Sequence, residues 1–149
     1  MSDAEKEKAS SSIPIASMLK RNEIVILLVE DDKFLRELLA GKLEREGYTV
    51  LGAFDGEEAM QHIKTSRPHL ILLDLVLPGM DGFEILTTLK QGTETANIPV
   101  IVLSNLGSRE DIDKAMNLGA RDFMVKAHHT PQEILEAIKK ILNETYLHK

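Results

Sequence analysis

Cysteine and tryptophan are both absent from the 149 residues, and only two tyrosines and four phenylalanines supply aromatic rings. Without cysteine the chain holds no disulfide frame, thiolate nucleophile, zinc–thiolate centre or iron–sulfur cluster. The shortage of rings leaves little for the stacking platforms that grip single-stranded nucleic acid. A basic excess is missing too. Eighteen Lys+Arg stand against 24 Asp+Glu, a formal net charge of −6 with His neutral, which argues against a phosphate-backbone footprint and against nucleic acid as a partner. The longest aliphatic run is Ile24 to Val29, far short of the roughly 20 residues that cross a bilayer. The opening Met-Ser-Asp-Ala-Glu-Lys-Glu-Lys has neither the basic nor the apolar part of a secretory signal. The expectation is a cytoplasmic protein with no membrane partner.

What is present suits one globular domain: 43% apolar and 28% charged residues in a length close to the usual one-domain prior of about 150. Residues 1–22 differ in composition, with alternating charge, the run Ser10 to Ser12 and the helix-breaking Pro14. They read as a loose leader, the alternative being a docking segment that uses Ile13, Ile15, Met18 and Leu19. Residues 23–145 form the domain, and the short tail after Asn143 is expected to carry no output domain.

Within that domain two periodicities alternate. The continuous β-branched and aliphatic run Ile24–Val29 predicts a strand buried on both faces, and Tyr48–Leu51, Leu70–Leu73, Val100–Leu103 and Phe123–Val125 predict four more strands. Segments with helical spacing follow at Asp32–Glu46, Asp55–Lys64, Gly82–Lys90 and Ser108–Leu118, and from Thr130 to about Asn143. Gly47 stands where a helix-ending glycine belongs, Asp55 and Glu58 make an Asp-x-x-Glu start, and Thr130-Pro131-Gln132-Glu133 is a strong helix opening. Five strands alternating with five helices predict an α/β fold, a doubly wound five-stranded parallel sheet. In such sheets ligands bind beyond the carboxyl ends of the strands.

Those ends carry Glu30-Asp31-Asp32 after the first strand, Asp74 after the third, Ser104-Asn105 after the fourth and Lys126 after the fifth. Taken singly each has a bland reading: Asp31 or Asp32 as a helix cap, Ser104 as a turn residue, Lys126 as solvated surface. Together they make two or three carboxylates, a hydroxyl and an ammonium on one edge. Crowded carboxylates repel unless a cation neutralises them. A hard divalent ion, Mg²⁺ above all, suits an all-oxygen set that leaves room for water and a phosphoryl oxygen. With that charge offset, one carboxylate can attack phosphorus, and Lys and Ser can stabilise the transferring group.

Asp74-Leu75-Val76-Leu77-Pro78-Gly79-Met80-Asp81-Gly82 is the most specific string in the chain. Together with Val29-Glu30-Asp31-Asp32, Ser104 and Lys126 it resembles the receiver domain of two-component response regulators. Asp31 to Asp74, Asp74 to Ser104 and Ser104 to Lys126 are separated by 43, 30 and 22 positions, which also suits the family. The resemblance covers about residues 24–143 and implies the flavodoxin-like (βα)5 fold with strand order 2-1-3-4-5. It implies Asp74 as phosphoacceptor, Glu30, Asp31, Asp74 and the main-chain carbonyl of Val76 around Mg²⁺, and Ser104 and Lys126 on the phosphoryl oxygens. It makes Ser104 and Phe123 the switch pair. The phosphodonor is expected to be a sensor histidine kinase or histidine phosphotransfer protein. A downstream protein is expected on the helix 4–strand 5–helix 5 face, and the resemblance allows a weak homodimer. The chain reads as a stand-alone phosphoacceptor signalling protein, not an enzyme on an external substrate.

Three residues depart from the family pattern. Ala127 follows Lys126 where proline after a cis bond is usual, so the aim of Lys126 is open, since a non-proline cis bond costs about 2.5–4 kcal/mol. Asn105 replaces a small residue. Val76 and Leu106 put apolar side chains beside the path of hydrolytic water, which predicts slow self-dephosphorylation. A phosphorylation-independent pseudo-receiver is the alternative. A flavin-binding reading fails because Glu30-Asp31-Asp32 repels phosphate, and a P-loop reading fails for want of Gly-Lys-Ser/Thr. A phosphatase would have a second Asp where Val76 stands. His128 and His129 read as exposed loop residues, His62, His69 and His148 as lacking convergent partners, and Met60 and Met116 as core filler.

Overall fold

A computed structural model describes residues 19–147. The expected leader falls largely outside that range, as does His148. Leu19, however, packs against the core, and the Arg21 guanidinium lies over the Tyr48 ring at 5.9 Å and donates to the Glu46 carbonyl at 3.1 Å. Residues 19–22 therefore belong to the packed unit, although composition assigned them to the leader.

Five strands, β1 (Val25–Val29), β2 (Thr49–Ala53), β3 (Leu70–Leu73), β4 (Val100–Ser104) and β5 (Asp122–Val125), form one parallel sheet in the order β2-β1-β3-β4-β5. Five helices alternate with them: α1 (Lys33–Arg45), α2 (Gly56–Ser66), α3 (Gly82–Gln91), α4 (Arg109–Asn117) and α5 (Pro131–Leu142). The expected α/β fold and strand order are both observed.

Each helix begins where a side chain can accept an otherwise unpaired backbone N–H. Asp32, Asp55, Asp81, Ser108 and Thr130 each do so, and Thr130 and Glu133 close a reciprocal capping box. Because strands buried on both faces need two covering layers, the core splits in two. One side packs Leu28, Leu39, Leu43, Leu70, Ile101, Ile134 and Ile138 under α1 and α5. The other packs Leu27, Ile63, Ile71, Ile85, Leu89, Val102 and Ala115 under α2, α3 and α4.

Two expectations need correction. Met116 is 41% exposed; it is Ala115 that points into the core, one position and therefore about 100° away around the helix. His69 is not without partners: its Nδ1 accepts the Val25 N–H at 3.0 Å, and the Tyr146 ring meets its ring edge-on at 5.2 Å. The Tyr146 hydroxyl donates to the His69 carbonyl at 2.7 Å. A π-helical turn, Asn143–Leu147, continues α5 and brings Tyr146 and Leu147 onto the core, a contact too distant in sequence for local patterning to reveal.

Candidate functional site

The sheet register aligns the functional strand ends. Val29 is level with Leu73, and Leu73 with Val102, while Asp74 N–H donates to the Val29 carbonyl at 3.0 Å. The residues that follow β1 and β3 therefore emerge side by side. An open cleft of about 310 Å³ results, lined by Glu30, Asp31, Asp32, Asp74, Val76, Asn105 and Lys126. Glu30, Asp31 and Asp74 bring carboxylate oxygens within 4.8 Å of one another. Glu30 and Asp74 are only 4% exposed, whereas Asp31 is open to solvent. A larger cleft of about 630 Å³ lies between α2 and the β3–α3 loop, among Met60, Pro78 and Met80, away from these acids.

Lys126 is the cation that offsets them. Its Nζ lies 2.8 Å from Glu30 Oε1 and 2.8 Å from Asp74 Oδ2. No cis peptide occurs among the described residues, so Lys126–Ala127 is trans. Lys126–His128 forms a 3-10 turn, and the ammonium reaches Asp74 without the family's usual proline. Burial works against the Lys126 ammonium, but hydrogen bonds and the charges of Asp74 and Glu30 outweigh it and hold its pKa above the ordinary lysine value. Burial pushes the Glu30 carboxyl up from its ordinary value; Lys126 and the Asp32 N–H pull it back, and the Asp74 charge adds to the rise.

Backbone donors orient the acids. Val76 N–H donates to Asp74 Oδ1 at 3.1 Å, and Asp32 N–H donates to Glu30 Oε2 at 3.0 Å. Asp32 itself caps α1, so the helix-cap reading applies to it, while Asp31 joins the cluster. Gly82 makes the β3–α3 loop possible. A Cβ there would stand 2.4 Å from Leu75 Cα and 2.7 Å from the Asp74 carbonyl oxygen.

Ser104 is completely buried at the end of β4, and its hydroxyl accepts the Leu106 N–H at 3.3 Å. It does not line the cleft, whereas its neighbour Asn105 does. Phe123 is half-buried on β5, against the α3–α4 side of the core. Val76 exposes 57% of its surface beside the cleft. Sequence reasoning missed Arg36, whose Nη1 donates to the Glu30 carbonyl at 2.6 Å. A signal was there: a cation in the first turn of a helix opposes the macrodipole.

The donor set suits a hard divalent cation, being all oxygen and clustered. Glu30 Oε1 is buried without a well-directed hydrogen bond and is compensated only by the Lys126 charge.

This fold and this site define the receiver class of domains. The response regulator receiver domain family model matches residues 26–139, and the chain belongs to that family, a component of two-component signalling. It is 38% identical to the alkaline phosphatase synthesis transcriptional regulatory protein PhoP of Bacillus subtilis, covering 80% of this chain and 49% of that protein. It is 36% identical to the phosphate regulon transcriptional regulatory protein PhoB of Pseudomonas aeruginosa, covering 80% and 52%. The chain thus spans about half the length of these curated relatives. Among solved structures, a CheY-like receiver domain from Methanospirillum hungatei superposes with a TM-score of 0.75 at 30% identity, covering 81% of this chain and 94% of that one. The Mn²⁺-bound form of response regulator Rcp1 does so with 0.70 at 30%, covering 80% and 92%.

The relatives are transcriptional regulators, so the expected absence of a nucleic-acid partner has no support: the charge of a receiver domain is silent about domains beside it. Among the described residues no helix is long and apolar enough to cross a membrane.

Proposed function

We propose that the domain takes a phosphoryl group onto Asp74 from the phosphohistidine of a partner kinase or phosphotransfer protein, and that this changes which proteins it binds. The observation that carries the reading is the single ammonium of Lys126 seated 2.8 Å from both Asp74 and Glu30 in an acid-lined cleft. An Asp74 carboxylate oxygen forms the new O–P bond as the P–N bond breaks, and the imidazole nitrogen departs with the bonding pair. Lys126 meets the charge on the phosphoryl oxygens. Val76 N–H and Lys126 hold the carboxylate in its attacking position. Glu30, Asp31, Asp74 and the Val76 carbonyl would hold Mg²⁺, which when bound supplies Lewis-acid neutralisation of phosphoryl charge.

Phosphorylation adds roughly −1.5 to −2 charge and strong acceptors. In our reading the Ser104 hydroxyl then exchanges the Leu106 N–H for a phosphoryl oxygen, Phe123 follows, and the α4–β5–α5 face changes shape for a protein target. The chain thus acts as a phosphoacceptor with self-catalysed transfer. Val76 and Leu106 cannot direct water, so hydrolysis is slow.

Intact-mass measurement after incubation with a small phosphodonor and Mg²⁺ tests this. The expected result is a gain of one phosphoryl group, absent in Asp74→Asn and lasting well beyond seconds. No gain and no Mg²⁺ affinity would identify a pseudo-receiver instead.

A further inference from the structure

Arg36 stands in the first turn of α1, where no acidic residue occurs and where Lys33 adds a second cation. The positive end of the helix dipole makes that arrangement unfavourable. Surface pairing does not account for it, because among the described residues no carboxylate lies within ion-pair distance of the Arg36 guanidinium. Instead Nη1 donates to the main-chain carbonyl of Glu30 at 2.6 Å, a short, charge-assisted bond across six positions.

The side chain reaches that carbonyl over β2. At Gly52 a Cβ would stand 3.2 Å from Arg36 Cδ, 3.4 Å from Nε and 3.6 Å from Cγ. Gly52 is level with Leu28 of the neighbouring strand, so its missing side chain opens a channel for the arginine stem beside the β1 end. Glycine weakens a strand interior, and its presence here is explained by what lies on top of it.

We infer that Arg36 is a positioning residue for the acidic pair, and that Gly52 is the gap through which it works. Besides its ion pair with Lys126, Glu30 is gripped by three hydrogen bonds: its N–H donates to the Ala53 carbonyl at 2.9 Å, its carboxylate accepts the Asp32 N–H, and its carbonyl accepts Arg36. The third grip fixes the peptide that joins Glu30 to Asp31, and with it the direction in which both side chains leave the backbone. The guanidinium also brings positive charge to a loop that must hold its acids together. Partners of this kind, which orient ligands without touching the ion, typically govern metal affinity by about 10–100-fold.

This inference rests on the Mg²⁺ site proposed above, and the test separates the two. Mg²⁺ affinity is measured by titration calorimetry on wild type, Arg36→Ala, Arg36→Lys and Gly52→Ala, with amide hydrogen exchange of residues 30–33 followed in metal-free protein. Arg36→Ala should bind Mg²⁺ about tenfold more weakly, exchange faster at Asp31 and Asp32, and recover the wild-type phosphorylation rate at saturating Mg²⁺. Arg36→Lys should restore part of the loss. Gly52→Ala, with the charge intact and the stem displaced, should shift affinity in the same direction. Wild-type affinity and exchange in a folded Arg36→Ala protein would overturn the inference alone. Wild type that binds no Mg²⁺ would overturn the site itself and the inference with it.

Discussion

Replacing Asp31 by asparagine should make the metal-free protein more stable and the Mg²⁺-bound protein less so. Three carboxylates converge within 4.8 Å, and the Lys126 ammonium is engaged at 2.8 Å by Glu30 and Asp74. Asp31 is the exposed, surplus charge. Two unit charges at that separation repel by about 1 kcal/mol at the dielectric of water, the appropriate limit for an exposed group. The substituted amide would keep the shape and remove repulsion from two neighbours, partly offset by lost attraction to Lys126, for a net gain of about 1 kcal/mol. With Mg²⁺ at about 100 times its dissociation constant, wild type gains about 2.7 kcal/mol, and the variant, lacking a charged ligand, gains less. The order of stability should therefore invert. Urea denaturation followed by far-UV circular dichroism suits a chain without tryptophan; curves are compared in EDTA and in Mg²⁺, at low and moderate salt. The gap in EDTA should shrink as salt rises. An Asp31→Asn protein less stable than wild type in EDTA, or equal stabilisation of both by Mg²⁺, would refute the reasoning.

Gly82→Ala would push a Cβ to 2.4 Å from Leu75 Cα; overpacking of this kind costs about 1–3 kcal/mol, and the displaced loop carries Asp74. A lower urea midpoint together with slower phosphorylation is expected, and an unchanged midpoint would contradict the close approach. Burial holds the His69 pKa below its ordinary 6.5, and the neutral ring accepts the Val25 N–H. The unfolded chain then binds the proton more readily, so the contribution of His69 is intact above about 6.5 and is lost as pH falls through the depressed folded value. Thermal melts from pH 7.5 downward should show this fall, and His69→Gln, which keeps an acceptor, should flatten it.

Most of the sheet and all five helix starts were legible because the signals are local. Val100 to Leu103 is aliphatic at every position, and Asp32, Asp55 and Thr130 cap with their own side chains. The acid cluster was legible for a different reason: parallel strands bring their carboxyl ends to one edge wherever they lie in sequence. What stayed hidden depends on side-chain reach across the fold. Arg36 reads as helix surface until Gly52 is seen beneath it, and His69 and Tyr146 are 77 positions apart. The aim of Lys126 was undecidable too, because the residues alone do not fix the backbone route at Lys126–Ala127, which is trans and enters a 3-10 turn.

The place of β5 in the sheet has a consequence for the order of assembly. It is an edge strand of four residues, bonded on one side to β4 alone, and Lys126 follows it directly. The acids leave β1 and β3, which are interior strands. Fraying begins at edges, where the free energy of local opening is smallest. When β5 lifts, the three acids stay together and lose the cation that reconciles them. Under the proposed function, an incompletely zipped molecule would thus repel the incoming phosphoryl group, and competence to react would require β5 in place.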